Sequence, residues 1–160
     1  MNSLDIVGIR LVKERKLYSD KSITNPFDAI EIIGNELKYL DREMMMSINL
    51  DIKGRIINAH VVAIGGQDFA MIDAKNIYKA ALLSNANSVM IMHNHPSGIA
   101  EPSKEDLLLT ENIRKGCDCL DIKLLDHIII GMENFYSIMA EEYFEYQNEF
   151  QNDNENNFIF

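Results

Sequence analysis

The sequence predicts an α/β (α+β) chain, a single domain in which a mixed β-sheet is flanked by helices. Three observations carry that expectation. Apolar residues recur with strand or helix periodicity in the order β-α-β-β-α-β-α-β-β. The 160 residues suit one core that needs no disulfide staples. A composition of 47% hydrophobic and 25% charged residues is that of an ordinary soluble globular protein.

Ile6 to Tyr18 sets Val7, Ile9 and Leu11 against Arg10, Lys13 and Arg15, and reads as a strand. Asn25-Pro26 starts a helix, with Asn as N-cap, Pro at the first position, and Phe27, Ile30, Ile33 and Leu37 at helical spacing. Glu43 to Leu50 and Ile56 to Ile64 are strands joined by the turn Asp51-Ile-Lys-Gly54, a hairpin. Asp73 caps a helix running to about Asn85, with Ile77, Ala80, Ala81 and Leu83 inward. Val89 to Met92 is a short buried strand. Ser103 opens the next helix, which Gly116 or the Cys-Asp-Cys segment ends. Ile122 to Ile130 is a strand, and Phe135 to Met139 pairs back with it across the Gly131-Met-Glu-Asn134 turn.

Three regions result: an N-terminal strand segment over residues 1–24, the main domain over 25–144, and an acidic Asn-rich tail over 145–160. The tail cannot bury enough apolar surface to fold alone, so it is expected to be flexible. Its terminal Phe158-Ile-Phe160 reads as a frayed end, with addition to a sheet edge or docking on a partner as alternatives. There is no internal repeat, no bilayer-length apolar run and no signal-peptide pattern, so no membrane partner is expected. Cys117 and Cys119 read as free thiols, which points to a reducing cytoplasm. The formal net charge is −10, and the basic residues cluster only weakly at Lys13-Glu-Arg15-Lys16. That balance disfavours tight nonspecific DNA binding, which needs Lys and Arg against phosphates.

The chemistry concentrates in His93-Asn-His95-Pro-Ser-Gly-Ile-Ala-Glu-Pro-Ser103-Lys-Glu-Asp106, preceded by the apolar run Ser88-Val-Met-Ile-Met92. Histidines one residue apart leave a strand on the same side. Two imidazoles and a carboxylate are a common ligand set for a catalytic zinc that keeps an open position. The spacing H-x-H-x7-S-x2-D therefore proposes His93, His95 and Asp106 as ligands. Asp106 has a competing structural role, because Ser103-Lys-Glu-Asp106 resembles a capping box whose acid reaches back to the N-cap backbone. A zinc hydrolase also needs a base, and spacing alone does not choose among the many acids. Glu43 stands out because it opens an otherwise apolar strand, where a charge is costly unless paired or functional. Asp126 and His127 are strand neighbours on opposite faces, so at most one faces such a site, in a core or supporting role. His60 carries no signal beyond structure, and Met44-Met45-Met46 reads as packing. Gln67 to Ala70 is a loop that could shape the cleft.

From Arg42-Glu43 through the His93 loop to Leu125-Asp-His-Ile-Ile-Ile-Gly131, the chain resembles the RadC-like branch of the JAB/MPN+ (JAMM) metalloprotease superfamily. The resemblance covers roughly residues 25–140. It implies a JAB/MPN-like fold, one Zn²⁺ per chain on His93, His95 and Asp106, Glu43 as general acid/base, and Ser103 as a donor to the oxyanion. The implied activity is amide hydrolysis by a metal-activated water, with a peptide or isopeptide-linked protein as substrate. The alternative is a DNA-repair or DNA-processing associated protein with little or no peptidase activity. Asn94 stands where deubiquitinating members carry Ser or Thr, which weakens ubiquitin-like specificity. Full-length RadC proteins carry a helix-hairpin-helix-type segment before this domain. Here only a short strand and helix precede Glu43, so DNA contacts of the kind that segment would make are not expected from these residues.

Overall fold

A computed structural model describes residues 8, 10–16, 26–65 and 72–146. Among them three helices and six strands form: α1 Pro26–Leu37, β1 Met44–Leu50, β2 Ile56–Ile64, α2 Lys75–Leu83, β3 Ser88–Asn94, α3 Lys104–Cys119, β4 Lys123–Ile130, β5 Asn134–Ser137 and β6 Glu142–Glu145. The strands make one mixed sheet in the order β2-β1-β3-β4-β5-β6. Only β3 and β4 run parallel, and α3 is the crossover that joins them. This is the single small α+β domain that the periodicities predict.

Each face of the sheet is covered. On one side Ile30, Ile33 and Leu37 of α1 pack on Met46, Ile48, Met90 and Met92. On the other, Ile77 and Ala81 of α2 and Ile113 and Cys117 of α3 pack on Met45, Val89 and Ile91. The adjacent Met45 and Met46 thus fill opposite cores, as strand alternation requires. β3 is central and wholly buried, so its continuous apolar run is the pattern of a strand covered on both faces. The hairpin turn between β1 and β2 is closed by Asp51, whose Oδ1 accepts from the backbone N–H of Lys53 and Arg55, while Gly54 takes φ +74°.

The structure departs from expectation at several places. Residues 10–16 form no strand, and Leu11 and Val12 lie 47% and 78% exposed, so no sheet edge accepts their alternation. The rest of that segment, Asn25, the Gln67–Ala70 loop and the tail from residue 147, with Phe158–Phe160, lie outside the described residues. α2 begins at Lys75 rather than at an Asp73 cap; Asp73 Oδ1 still accepts from the Lys75 N–H. The helix stops at Leu83, with Asn85 beyond it at φ +51°, the left-handed conformation that Asn tolerates after a helix end. β1 begins at Met44, one residue after Glu43. Of the two ends expected for α3, Gly116 does not stop the helix and the Cys-Asp-Cys segment does, at Cys119. A sixth strand, β6, pairs with β5 through a short exposed Glu-Tyr-Phe-Glu segment too charged to read as a strand. No helix among the described residues is long and apolar enough to cross a membrane.

Candidate metal centre

β3 delivers His93 and His95 to one side of the sheet at its C-terminal end, and the following loop brings Asp106 back on the first turn of α3. Close approaches hold that loop. Gly98, at φ +79°, donates to His95 O and accepts from Met132 N–H, both at 2.9 Å. Gly131 must be glycine, since a Cβ there would press on Gly98 O at 2.8 Å and Asn134 O at 2.9 Å. The loop and the β4–β5 turn are therefore locked together.

His93 Nε2 lies 3.0 Å from His95 Nε2 and 3.2 Å from Asp106 Oδ1, and His95 Nε2 lies 3.5 Å from Asp106 Oδ2. Among the described residues, these three are the one group of His, Cys, Asp and Glu able to hold a metal ion together. Asp106 is also the acid of a complete capping box. Its Oδ2 accepts from Ser103 N–H at 2.8 Å and Ser103 O–H at 2.6 Å, and Ser103 Oγ accepts from Asp106 N–H. Capping and site formation thus coexist on one carboxylate, with Oδ1 turned to His93. The single Ser103 proton is directed at Asp106 in this arrangement.

Proton positions follow from which atoms can only accept. His95 Nδ1 faces the Ile99 carbonyl at 2.8 Å, so Nδ1 carries the proton and Nε2 a lone pair. The Thr110 hydroxyl touches the Asp106 carbonyl and His127 Nδ1, each at 2.6 Å. The carbonyl takes its proton, so His127 Nδ1–H donates to Thr110 and His127 Nε2 accepts. His93 Nδ1, 2.7 Å from that Nε2, must then be the donor, which leaves a lone pair on His93 Nε2. In these neutral tautomers two lone pairs and a carboxylate converge, and a cation between them, a proton on His95 Nε2 or a metal ion, relieves their repulsion. In a tetrahedral site with bonds of about 2.0–2.1 Å, ligand atoms stand about 3.3 Å apart. The observed 3.0, 3.2 and 3.5 Å bracket that separation, so this donor set fits a small divalent metal.

Charge follows the same geometry. Burial pushes His93 and, more strongly, His127 below the ordinary histidine range, which keeps both neutral. Burial also pushes His95 down, but Asp106, the Ile99 carbonyl and Glu43 outweigh it and hold His95 above its ordinary value. Against burial, His93, His95 and Ser103 hold the Asp106 carboxyl far below the carboxylate range. Glu43 lies one residue before β1. Met45 of β1 pairs with His93, so continuing this antiparallel register puts Glu43 opposite His95. Burial raises the Glu43 carboxyl, His95 opposes that rise and Asp106 adds to it, so Glu43 senses both residues.

Asp126 and His127 point to opposite faces. The buried Asp126 carboxylate accepts from His127 N–H, Met139 N–H and the Ser137 hydroxyl, tying β4 to the chain after β5. His127 is instead the partner that orients His93. Thr110 was not singled out from sequence, although its place one helical turn after Asp106 was the available signal. His60 lies on β2 opposite Ser47 and outside the cluster.

A family profile described as "RadC-like JAB domain" matches residues 23–143. The UPF0758 protein of Caldanaerobacter subterraneus subsp. tengcongensis is 33% identical over 126 residues, covering 79% of this chain and 54% of that protein. A UPF0758 protein of Thermotoga maritima is 36% identical over 106 residues, covering 66% and 48%. One from Methanosarcina mazei is 34% identical over 121 residues, covering 76% and 53%. The chain spans about half the length of the curated relatives it matches, and their names state no activity.

Proposed function

We propose, for a chain that belongs to the RadC-like JAB domain family, that it is a zinc-dependent hydrolase of JAMM type acting on a peptide or isopeptide bond. The observation that supports this most is the convergence of His93 Nε2, His95 Nε2 and Asp106, both imidazoles being held in the ligand tautomer, with Glu43 set opposite His95. A zinc ion held there would supply Lewis acidity toward water and the scissile carbonyl. Glu43 takes the proton of the attacking water and returns it to the leaving nitrogen, and a carboxyl raised by burial suits both transfers. Ser103 donates to the developing oxyanion after its hydroxyl turns away from Asp106 Oδ2.

A screen of peptide and isopeptide substrates, with Glu43→Gln as the blank, tests this reading. Glu43→Gln is expected to keep its zinc and lose turnover by several orders of magnitude. Ser103→Ala should keep zinc and lose about 10²–10³-fold, the scale of one oxyanion donor. Turnover retained in Glu43→Gln would remove Glu43 from the mechanism.

A further inference from the structure

Asn94, between the two candidate histidine ligands, is fully buried and faces away from them. Its side-chain Oδ1 accepts from Met44 N–H at 2.8 Å, and its Nδ2 donates to Arg42 O at 3.0 Å. Those two backbone groups flank Glu43. The β1–β3 ladder ends at Met45↔His93, and the Asn94 carboxamide supplies the next rung in place of a backbone peptide. A carboxamide is a peptide-group mimic, with one acceptor and a donor set at the spacing of a peptide's own. Beyond the ladder's end Glu43 is otherwise tied through its carbonyl, which accepts from Gly65 N–H at 2.7 Å.

We infer that Asn94 is the positioning residue for Glu43: it couples the strand that carries both histidines to the backbone on either side of the proposed base. The inference rests on the hydrolase reading above and deepens it. One rigid strand end then sets three groups at once, with His93 and His95 on one face and Glu43 through the amide on the other. A Ser or Thr side chain is shorter by one atom and has a single hydroxyl in place of the separate donor and acceptor, so it cannot span both backbone groups. In a chain with Ser or Thr there, Glu43 must be held by other means.

The test uses cobalt(II) as the probe metal in wild type, Glu43→Gln, Asn94→Ser and Asn94→Thr. Three quantities are read: cobalt per chain, hydrogen exchange at the Met44 amide, and the pH dependence of the visible cobalt spectrum. Stoichiometric cobalt is expected in all four, because no ligand is altered. Met44 exchange should rise in both Asn94 variants. The spectral transition should move in Glu43→Gln by about one unit or more, the scale of a carboxylate within about 4–6 Å. The Asn94 variants should move it the same way, although their Glu43 is intact. A merely structural loss would lower stability and leave that transition in place. Strand-favouring Thr keeps the experiment decisive if the Ser variant does not fold. A wild-type transition in a cobalt-loaded Asn94 variant, or unchanged Met44 exchange, overturns the inference. Wild type that holds no cobalt overturns the metal reading itself, and a transition that Glu43→Gln leaves unmoved removes Glu43 instead.

Discussion

Asp106 divides its oxygens between two tasks. Oδ2 closes the capping box with Ser103, and Oδ1 meets His93. The helix start and the candidate metal centre thus share the same few atoms, and the cap fixes the carboxylate that faces both histidines. Thr110 extends this control one turn further, through His127 to His93. Removing its hydroxyl leaves His127 Nδ1–H buried without an acceptor and frees the His93 tautomer. Thr110→Val, nearly isosteric, is expected to fold and lose about 10–100-fold in zinc affinity, the usual scale for a partner behind a ligand. Unchanged affinity by competition with a chromogenic chelator would contradict the relay. At this scale His93, His95 and Asp106 were legible because their spacing is local. Thr110 was not, and the choice of His127 over Asp126 for the supporting role stayed open, because their meeting depends on the β3–β4 register and the phase of α3, which only the folded sheet sets.

Among the elements, α3 shows why helix ends are hard to read. Gly116 looks like a stop, yet the helix passes through it to Cys119. The residue answers a distant neighbour: a Cβ at Gly116 would overlap the ring of Tyr78, which crosses from α2 and bonds to the carbonyls of α3 at Ile113 and Asn112. Helix propensity alone favours alanine by about 1 kcal/mol, whereas overpacking costs about 1–3 kcal/mol. Gly116→Ala is therefore expected to lower the melting temperature, and to raise it in a Tyr78→Ala background. A stabilised single variant, measured by denaturant unfolding, would refute the contact's role. Strands with strong alternation or a Gly-bearing turn, such as β1 and β2, were legible for the converse reason. Their signals lie within a few residues, whereas β6 exists only because β5 offers an edge.

For the whole molecule, the order β2-β1-β3-β4-β5-β6 puts the site at the end of two central strands, and no local pattern contains that order. The consequence is a buried cluster whose protonation is tied to folding. Burial holds His93 and His127 below 6.5, so below that pH the unfolded chain binds protons that the native one refuses. Their contribution is complete above 6.5 and is lost as pH falls. Asp106 adds a second loss below 3.8, because its folded value is depressed. His95 has the opposite sign: raised in the fold, it stabilises fully below 6.5 and loses that contribution as pH rises through its folded value. Chelator-treated protein should therefore melt at progressively lower temperature as pH falls from about 6.5 to about 5, where the contribution of His95 is already complete. A melting temperature flat across that interval would contradict the buried-neutral assignment.

The central claim is that His93, His95 and Asp106 hold a metal. Its most direct test is elemental analysis of protein purified without chelator, wild type beside His95→Ala. About one zinc per chain in wild type, absent from the variant, is the result predicted for a three-ligand site. Folded wild-type protein that carries no zinc and cannot be reconstituted would make the histidines structural and contradict the hydrolase account.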